Sequence, residues 1–136
     1  MLPGPYARSV TSEGMSMKPS LQSGVAGTAT YTVTADMSPP HLPMKVLSTP
    51  SMVQLIEATC LQTAQLHLDD GETTVGTHVC VSHAASAAAG DDVVVTCELT
   101  EVDRRRLEFA TRVTSGDKLL SEGTHQRFVV KAASFG

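Results

Sequence analysis

The stretch Ser48-Thr49-Pro50-Ser51-Met52-Val53-Gln54-Leu55-Ile56-Glu57-Ala58-Thr59-Cys60-Leu61-Gln62-Thr63-Ala64-Gln65-Leu66-His67-Leu68 reads as the only long helix of the sequence. Thr49 suits the N-cap, and Pro50 suits the first helical position, where a missing N–H forfeits no intrahelical bond. Asp69-Asp70-Gly71 marks the end, because a helix C-terminus disfavours acids and a glycine often follows it. At about 100° per residue, Gln54, Ala58, Gln62 and Gln65 fall on one narrow polar or small face. Met52, Val53, Ile56, Cys60, Leu61, Ala64 and Leu68 fill most of the remainder, so the helix is expected to be covered on most sides. Glu57 is the exception, since it lands inside the apolar arc. A carboxylate there is costly unless it is paired or used, and such groups gather at functional sites.

The rest of the composition sets the frame. A chain of 136 residues, 41% hydrophobic and 18% charged, is expected to form one domain with one core. A net charge of −4 argues against a general nucleic-acid binder, which needs a basic face. No apolar run reaches the roughly 18 residues of a membrane span, and the N-terminus lacks the apolar centre of a secretory signal. Cys60, Cys80 and Cys97 are odd in number, and their spacing fits neither a disulfide framework nor a zinc site. All three are expected to be buried, reduced thiols in a cytoplasmic protein. A reactive cysteine would need an electropositive setting that the sequence does not show.

Residues 1–24, rich in Pro, Gly, Ser and Met, read as a flexible N-terminal leader, and residues 25–136 as a single domain. Val25–Ala35 alternates threonines with Ala29, Tyr31, Val33 and Ala35, the period of a half-buried strand. Pro39, Pro40 and Pro43 make residues 36–48 a loop that delivers the chain to the helix and forms one wall of a site. Four strands in a meander are expected after the helix: Thr73–His83, Val93–Val102, Arg106–Thr114 and Lys118–Lys131. Ala84–Gly90 is a small-residue linker, and Ala132–Gly136 is expected to fray. One helix that is apolar on most sides needs a sheet curled around it. The fold expected is therefore α+β, an antiparallel sheet of about five strands wrapped around one central helix, the arrangement called a hot-dog fold. Such a sheet leaves an edge strand open, which points to a homodimer and leaves a tetramer open.

Three polar residues stand out against this frame. Thr49 opens the helix, and Glu57 follows eight positions later, about 12 Å along the axis and about 80° round it. A ligand would have to reach from one to the other, or a second copy would have to approach. His83 closes the first strand after the helix and opens into the small-residue linker, where an imidazole can serve as general acid or base. His78 lies five residues earlier, on the opposite face, which argues against a shared metal. His41, His67, His78 and His125 read as surface or structural residues. Arg127 sits among apolar strand residues and needs an anionic partner, either Glu57, another core-facing acid or a substrate phosphate. Arg104-Arg105-Arg106 reads as a solvated turn that is also able to meet nucleotide phosphates.

The segments Val46–Cys60, Val75–His83 and Gly123–Arg127 together resemble, in register, the fluoroacetyl-CoA thioesterase family of the hot-dog superfamily, over about residues 28 to 130. The resemblance implies an acyl-CoA thioesterase, a homodimer that needs no metal and no cofactor beyond the coenzyme A of its substrate. It places Thr49, Glu57 and His83 as the catalytic set. By that resemblance Glu57 is expected to attack the thioester or activate water, Thr49 to position it, and His83 to act as base. Gly76 matches a glycine beside the thioester, and Arg127 an arginine of the site. The family's phenylalanines in the loop before the helix are absent, and Pro40 and Pro43 stand in their places, which makes Pro43 a candidate substrate contact. Selectivity for the fluorinated substrate is therefore expected to be lost. Two other readings keep the fold: a hot-dog dehydratase or hydratase, and a non-catalytic module binding acyl-CoA or an acyl carrier.

Overall fold

The computed structural model describes residues 17–135. The elements in order are β1 (Ala26–Thr32), α1 (Thr49–Gln65), β2 (Glu72–Val81), β3 (Asp92–Asp103), β4 (Arg106–Ser115) and β5 (Lys118–Lys131), with 3-10 turns at Ala35–Met37 and Ala132–Ser134. The five strands form one antiparallel sheet in the order β1-β3-β4-β5-β2. This is the α+β hot-dog arrangement, with α1 packed against β1, β2 and β3.

The helix begins one residue earlier than expected. Ser48 is the N-cap: its backbone is extended, its hydroxyl accepts from Ser51 N–H at 3.2 Å, and its carbonyl accepts from Met52 N–H. Thr49 is thereby freed from capping, and Pro50 takes the second helical position, where its N–H is still not needed. The last regular residue is Gln65, and the chain turns at Leu66–Gly71 before β2.

Inward residues of β3 and β4 follow the strand period. Val93, Val95, Cys97 and Leu99 face Leu107, Phe109 and Val113, and Met52, Ile56, Cys60 and Ala64 close on them from α1. Each large apolar side chain buried this way contributes about 1.5–3 kcal/mol relative to exposure. Gly27 lets β1 and α1 touch, since a Cβ there would fall 2.0 Å from Thr63 Oγ1.

The meander expected after the helix is only partly formed. Strands β3, β4 and β5 are joined by hairpins, but β2 pairs with β5 and lies at the sheet edge. The small-residue linker makes this possible. It runs tightly beside the loop preceding α1, with Leu47 N–H bonded to Ala87 O, Ala89 N–H to Lys45 O, and Ala87 fully buried. Strand β2 ends at Val81, so His83 lies just beyond it. The C-terminal residues expected to fray form the turn Ala132–Ser134.

Of the leader expected over residues 1–24, residues 1–16 lie outside the described part. Residues 18–24 are docked on the domain: Lys18 N–H bonds His67 O, Gly24 N–H bonds Leu99 O, and Leu21 is buried. Cys60 and Cys97 are buried as expected, but Cys80 is exposed on β2, because that strand has no neighbour on its outer side in one chain.

Candidate active site

Helix α1 buries Met52, Ile56, Thr59, Cys60, Thr63 and Ala64. Glu57 sits beside that stripe and not within it, so its side chain is at the rim, 40% exposed. The buried arc is narrower than the apolar arc of the sequence, because a sheet on one side of the helix leaves Val53, Glu57 and Leu61 half-buried.

Arg127 meets Glu57 from β5. It is almost fully buried, and every nitrogen of its guanidinium is engaged. Nε donates to Thr74 Oγ1 at 2.7 Å, and Nη2 donates to Thr74 O at 3.0 Å. Nη1 faces two groups, His125 Nε2 at 3.0 Å and Glu57 Oε1 at 3.5 Å. Of the three partners left open by the sequence, Glu57 is the one found. Burial draws the Arg127 pKa below its ordinary value, and the Glu57 carboxylate opposes that shift.

His125 completes the cluster. Of the surface and structural roles that the sequence leaves to it, the surface one is excluded: it is wholly buried beside Arg127. Its Nδ1 lies 2.8 Å from His78 O. A carbonyl only accepts and a guanidinium N–H only donates, so the imidazole carries its proton on Nδ1 and offers a lone pair at Nε2. Burial holds the imidazole pKa below its ordinary value. The bond to His78 O works against this, and the Arg127 charge works with it. One signal in the sequence pointed here. His125 and Arg127 are two apart on one strand, so an inward arginine implies an inward histidine.

Gly76 pairs with Arg127 across β2 and β5, and the register slips between Gly76 and His78. A Cβ on Gly76 would lie 2.7 Å from Glu57 Oε1, 3.3 Å from Arg127 Nη1 and 3.3 Å from His125 Cε1. The absent side chain is what lets carboxylate, guanidinium and imidazole converge on bare backbone.

A second pair lies further along the helix toward its N-terminus. Thr49 Oγ1 is 2.7 Å from His83 Nδ1. Helix α1 and strand β2 run in opposite senses, so Thr49 stands at His83 and Glu57 at Gly76. The two polar pairs are two rungs, separated by about 12 Å along the helix.

The remaining candidates lie elsewhere. Pro43 is on an exposed loop, outside both rungs. His41 is exposed on that loop, and His67 Nδ1 is 2.8 Å from Ser20 Oγ. The basic hairpin is internally balanced: Arg106 bonds Glu101 and Glu108 and sits near Asp103, and Arg105 donates to Val129 O. The hydrogen bond to Cys97, with burial, pushes the Cys60 thiol far above its ordinary range, so it keeps its proton.

Comparison with known proteins adds to this geometry. A family model described as fluoroacetyl-CoA-specific thioesterase matches residues 28–133. The fluoroacetyl-CoA thioesterase of Streptantibioticus cattleyicolor is 36% identical over 91 residues, which is 67% of this chain and 66% of that protein. The chain thus spans just under two thirds of that relative's length. A solved structure of a fluoroacetyl-CoA thioesterase superposes with a TM-score of 0.79 at 30% identity, covering 85% of this chain and 92% of that one. A thioesterase superfamily member from Thermus thermophilus shares the fold, with a TM-score of 0.75 at 22% identity over 82% of this chain and 85% of its own.

Proposed function

The chain belongs to the fluoroacetyl-CoA-specific thioesterase family, and on that premise we propose that it hydrolyses an acyl-CoA thioester to free acid and coenzyme A. One observation carries the reading: a rim carboxylate, Glu57, held by a buried arginine beside the bare backbone of Gly76. Glu57 attacks the thioester carbonyl, or draws a proton from the water that does. Direct attack gives an acyl-enzyme anhydride and CoA thiolate, and water then returns the carboxylate and the free acid. Arg127 orients Glu57 through the facing Nη1. His83 moves protons to and from water and the leaving sulfur, and Thr49 orients that imidazole through its 2.7 Å contact. Coenzyme A enters as part of the substrate, and no further cofactor takes part.

The two rungs are about 12 Å apart in one chain, too far to act on one carbonyl. A homodimer resolves this. Strand β2 is an edge, and Gly76–Cys80 is its exposed run. Antiparallel pairing of that run with its copy brings the partner's His83 within about three residues of Gly76. The active site then draws Glu57 from one protomer and the Thr49–His83 pair from the other.

The loop before α1 presents Leu42 and Met44, both exposed, where the family's phenylalanines are missing. Acyl preference is therefore general, without selection for fluorine. A thiol-release assay with acetyl-, fluoroacetyl- and longer acyl-CoAs tests both statements. Glu57→Ala is expected to remain a folded dimer and to lose turnover; unchanged release in that variant removes Glu57 from the mechanism. A strong preference for fluoroacetyl-CoA refutes the loop argument alone.

A further inference from the structure

We propose that His125 is a positioning residue: through its neutral Nε2 lone pair it aims Arg127 Nη1 at Glu57, and through Nδ1–H it ties that arginine to the irregular turn of β2 beside Gly76. This rests on the reading of Glu57 as the reacting group.

Thr74 fixes two of the three nitrogens of Arg127, but both contacts lie on one side of the guanidinium. They leave Nη1 with a single charged neighbour, Glu57, at 3.5 Å, a separation too long for a firm hydrogen bond. What sets the direction of Nη1 is the 3.0 Å contact to His125 Nε2. That contact requires a neutral imidazole, because a proton on Nε2 would face the guanidinium N–H directly. The wholly buried position of His125 supplies the condition. The groups facing the ring are Arg127 on β5, Glu57 on α1, and both the carbonyl and the imidazole of His78 on β2.

The register between β2 and β5 slips at Gly76/His78, so this stretch lacks one regular rung of the ladder. His78 O, next to the slip, is bonded by His125 Nδ1. One side chain therefore holds both the arginine and the backbone whose bareness admits the carboxylate. His125 touches neither Glu57 nor the thioester in this scheme; it acts through Arg127.

Two substitutions separate the two bonds. Gln places a carbonyl oxygen where Nε2 sits, four bonds from Cα, and so can still accept from Arg127. Asn ends three bonds out, at the place of Nδ1, and can bond only His78 O. With acetyl-CoA as substrate, His125→Asn is expected to lower kcat on the order of tenfold to a hundredfold with KM changed less than about threefold. His125→Gln should recover kcat to within about threefold of the parent. A purely structural role would instead make both variants lose activity in proportion to lost stability, with no rescue by Gln. Equal kcat in Asn, Gln and parent overturns the proposal. Glu57→Gln is run beside them. If it retains turnover, the reading of Glu57 has failed; if it is inactive while His125→Asn is unimpaired, only the inference about His125 has failed. Long-range 1H–15N spectra of the imidazoles, recorded without substrate at about pH 7, give a readout independent of activity. His125 is expected as the neutral Nδ1–H tautomer; an Nε2–H tautomer or an imidazolium there overturns the proposal.

Discussion

Gly76→Ala adds one methyl group at the point where three polar groups meet. The new Cβ would stand 2.7 Å from Glu57 Oε1, closer than carbon and oxygen tolerate. Arg127 and His125, each 3.3 Å away, are buried and bonded on their far sides and have little room to give. Glu57 is the flexible, partly exposed member, so it yields by about 0.7 Å to regain ordinary contact. The cost in stability is small, because a carboxylate with access to water can move. Ala in place of Gly in a strand also recovers about 0.5–1 kcal/mol of backbone entropy. Net stability should therefore stay within about 1 kcal/mol of the parent. Turnover should not be spared. A displacement of about 1 Å can cost on the order of a hundredfold in rate, so about two thirds of that is expected to lower kcat roughly twentyfold. Thermal unfolding and thiol release from acetyl-CoA on the same preparation check the two halves. A stable variant with parental kcat would show that the carboxylate has no fixed working position. A loss of several kcal/mol would show that Glu57 is not the group that gives way.

Gly27→Ala should behave in the opposite manner: its Cβ would meet Thr63 Oγ1 at 2.0 Å and Thr63 Cβ at 3.0 Å, and Thr63 is buried and bonded to Thr59 O. Helix and strand must part, at about 1–3 kcal/mol, measured by urea denaturation, and a neutral result would refute the packing account. Thr49→Val removes the hydroxyl that meets His83 at an exposed position, so stability should change by less than about 0.5 kcal/mol while kcat falls; Thr49→Ser should keep the activity. The folded pKa of His125 lies below its ordinary value of about 6.5, so its contribution to stability is fully present above that pH. As pH falls further, the unfolded chain takes up a proton that the folded chain refuses, and stability declines by at most about 1.4 kcal/mol per pH unit until the folded pKa is reached. Urea midpoints between about pH 7 and pH 5 should fall less steeply in His125→Gln, and identical slopes would mean that the buried ring does not resist protonation.

Periodicity made most of the fold legible. Alternation of valines on β3 and of Leu107, Phe109 and Val113 on β4 marks one wet and one dry face, and the dry faces are those found inside. Pairing order was not legible, because strand alternation says which face is buried and nothing about which strand lies alongside. The position of β2 depends on a non-local contact, the linker of alanines lying against Lys45–Leu47. The helix start was misplaced by one residue because Ser48 and Thr49 are both good caps, and the choice falls to whichever hydroxyl lacks another partner. His83 gives Thr49 that partner. The site was half legible. Glu57 is conspicuous as a lone acid among apolar neighbours, whereas His125 is inconspicuous because one histidine in a strand has no preferred face until Arg127 fixes it.

The open edge of β2 and the proposed reacting groups meet at Gly76. Gly76 is the point at which β2 stops being well covered: Glu72 and Thr74 before it are buried, and the residues from it to Cys80 are exposed. A bare backbone there serves two needs, since it admits Glu57 from the inner side and leaves an open ladder for another strand on the outer side. If pairing along that ladder supplies the second rung, activity must depend on protein concentration. Specific activity should fall on dilution through the range in which the dimer dissociates, as followed by analytical ultracentrifugation. A charged residue on the open edge, Val79→Lys, should move that range upward while leaving Glu57, Arg127 and His125 in place. Full specific activity in a preparation shown to be monomeric would place both rungs in one chain. A thioester would then have to bridge the roughly 12 Å between Thr49 and Glu57, a span the proposed chemistry does not accommodate.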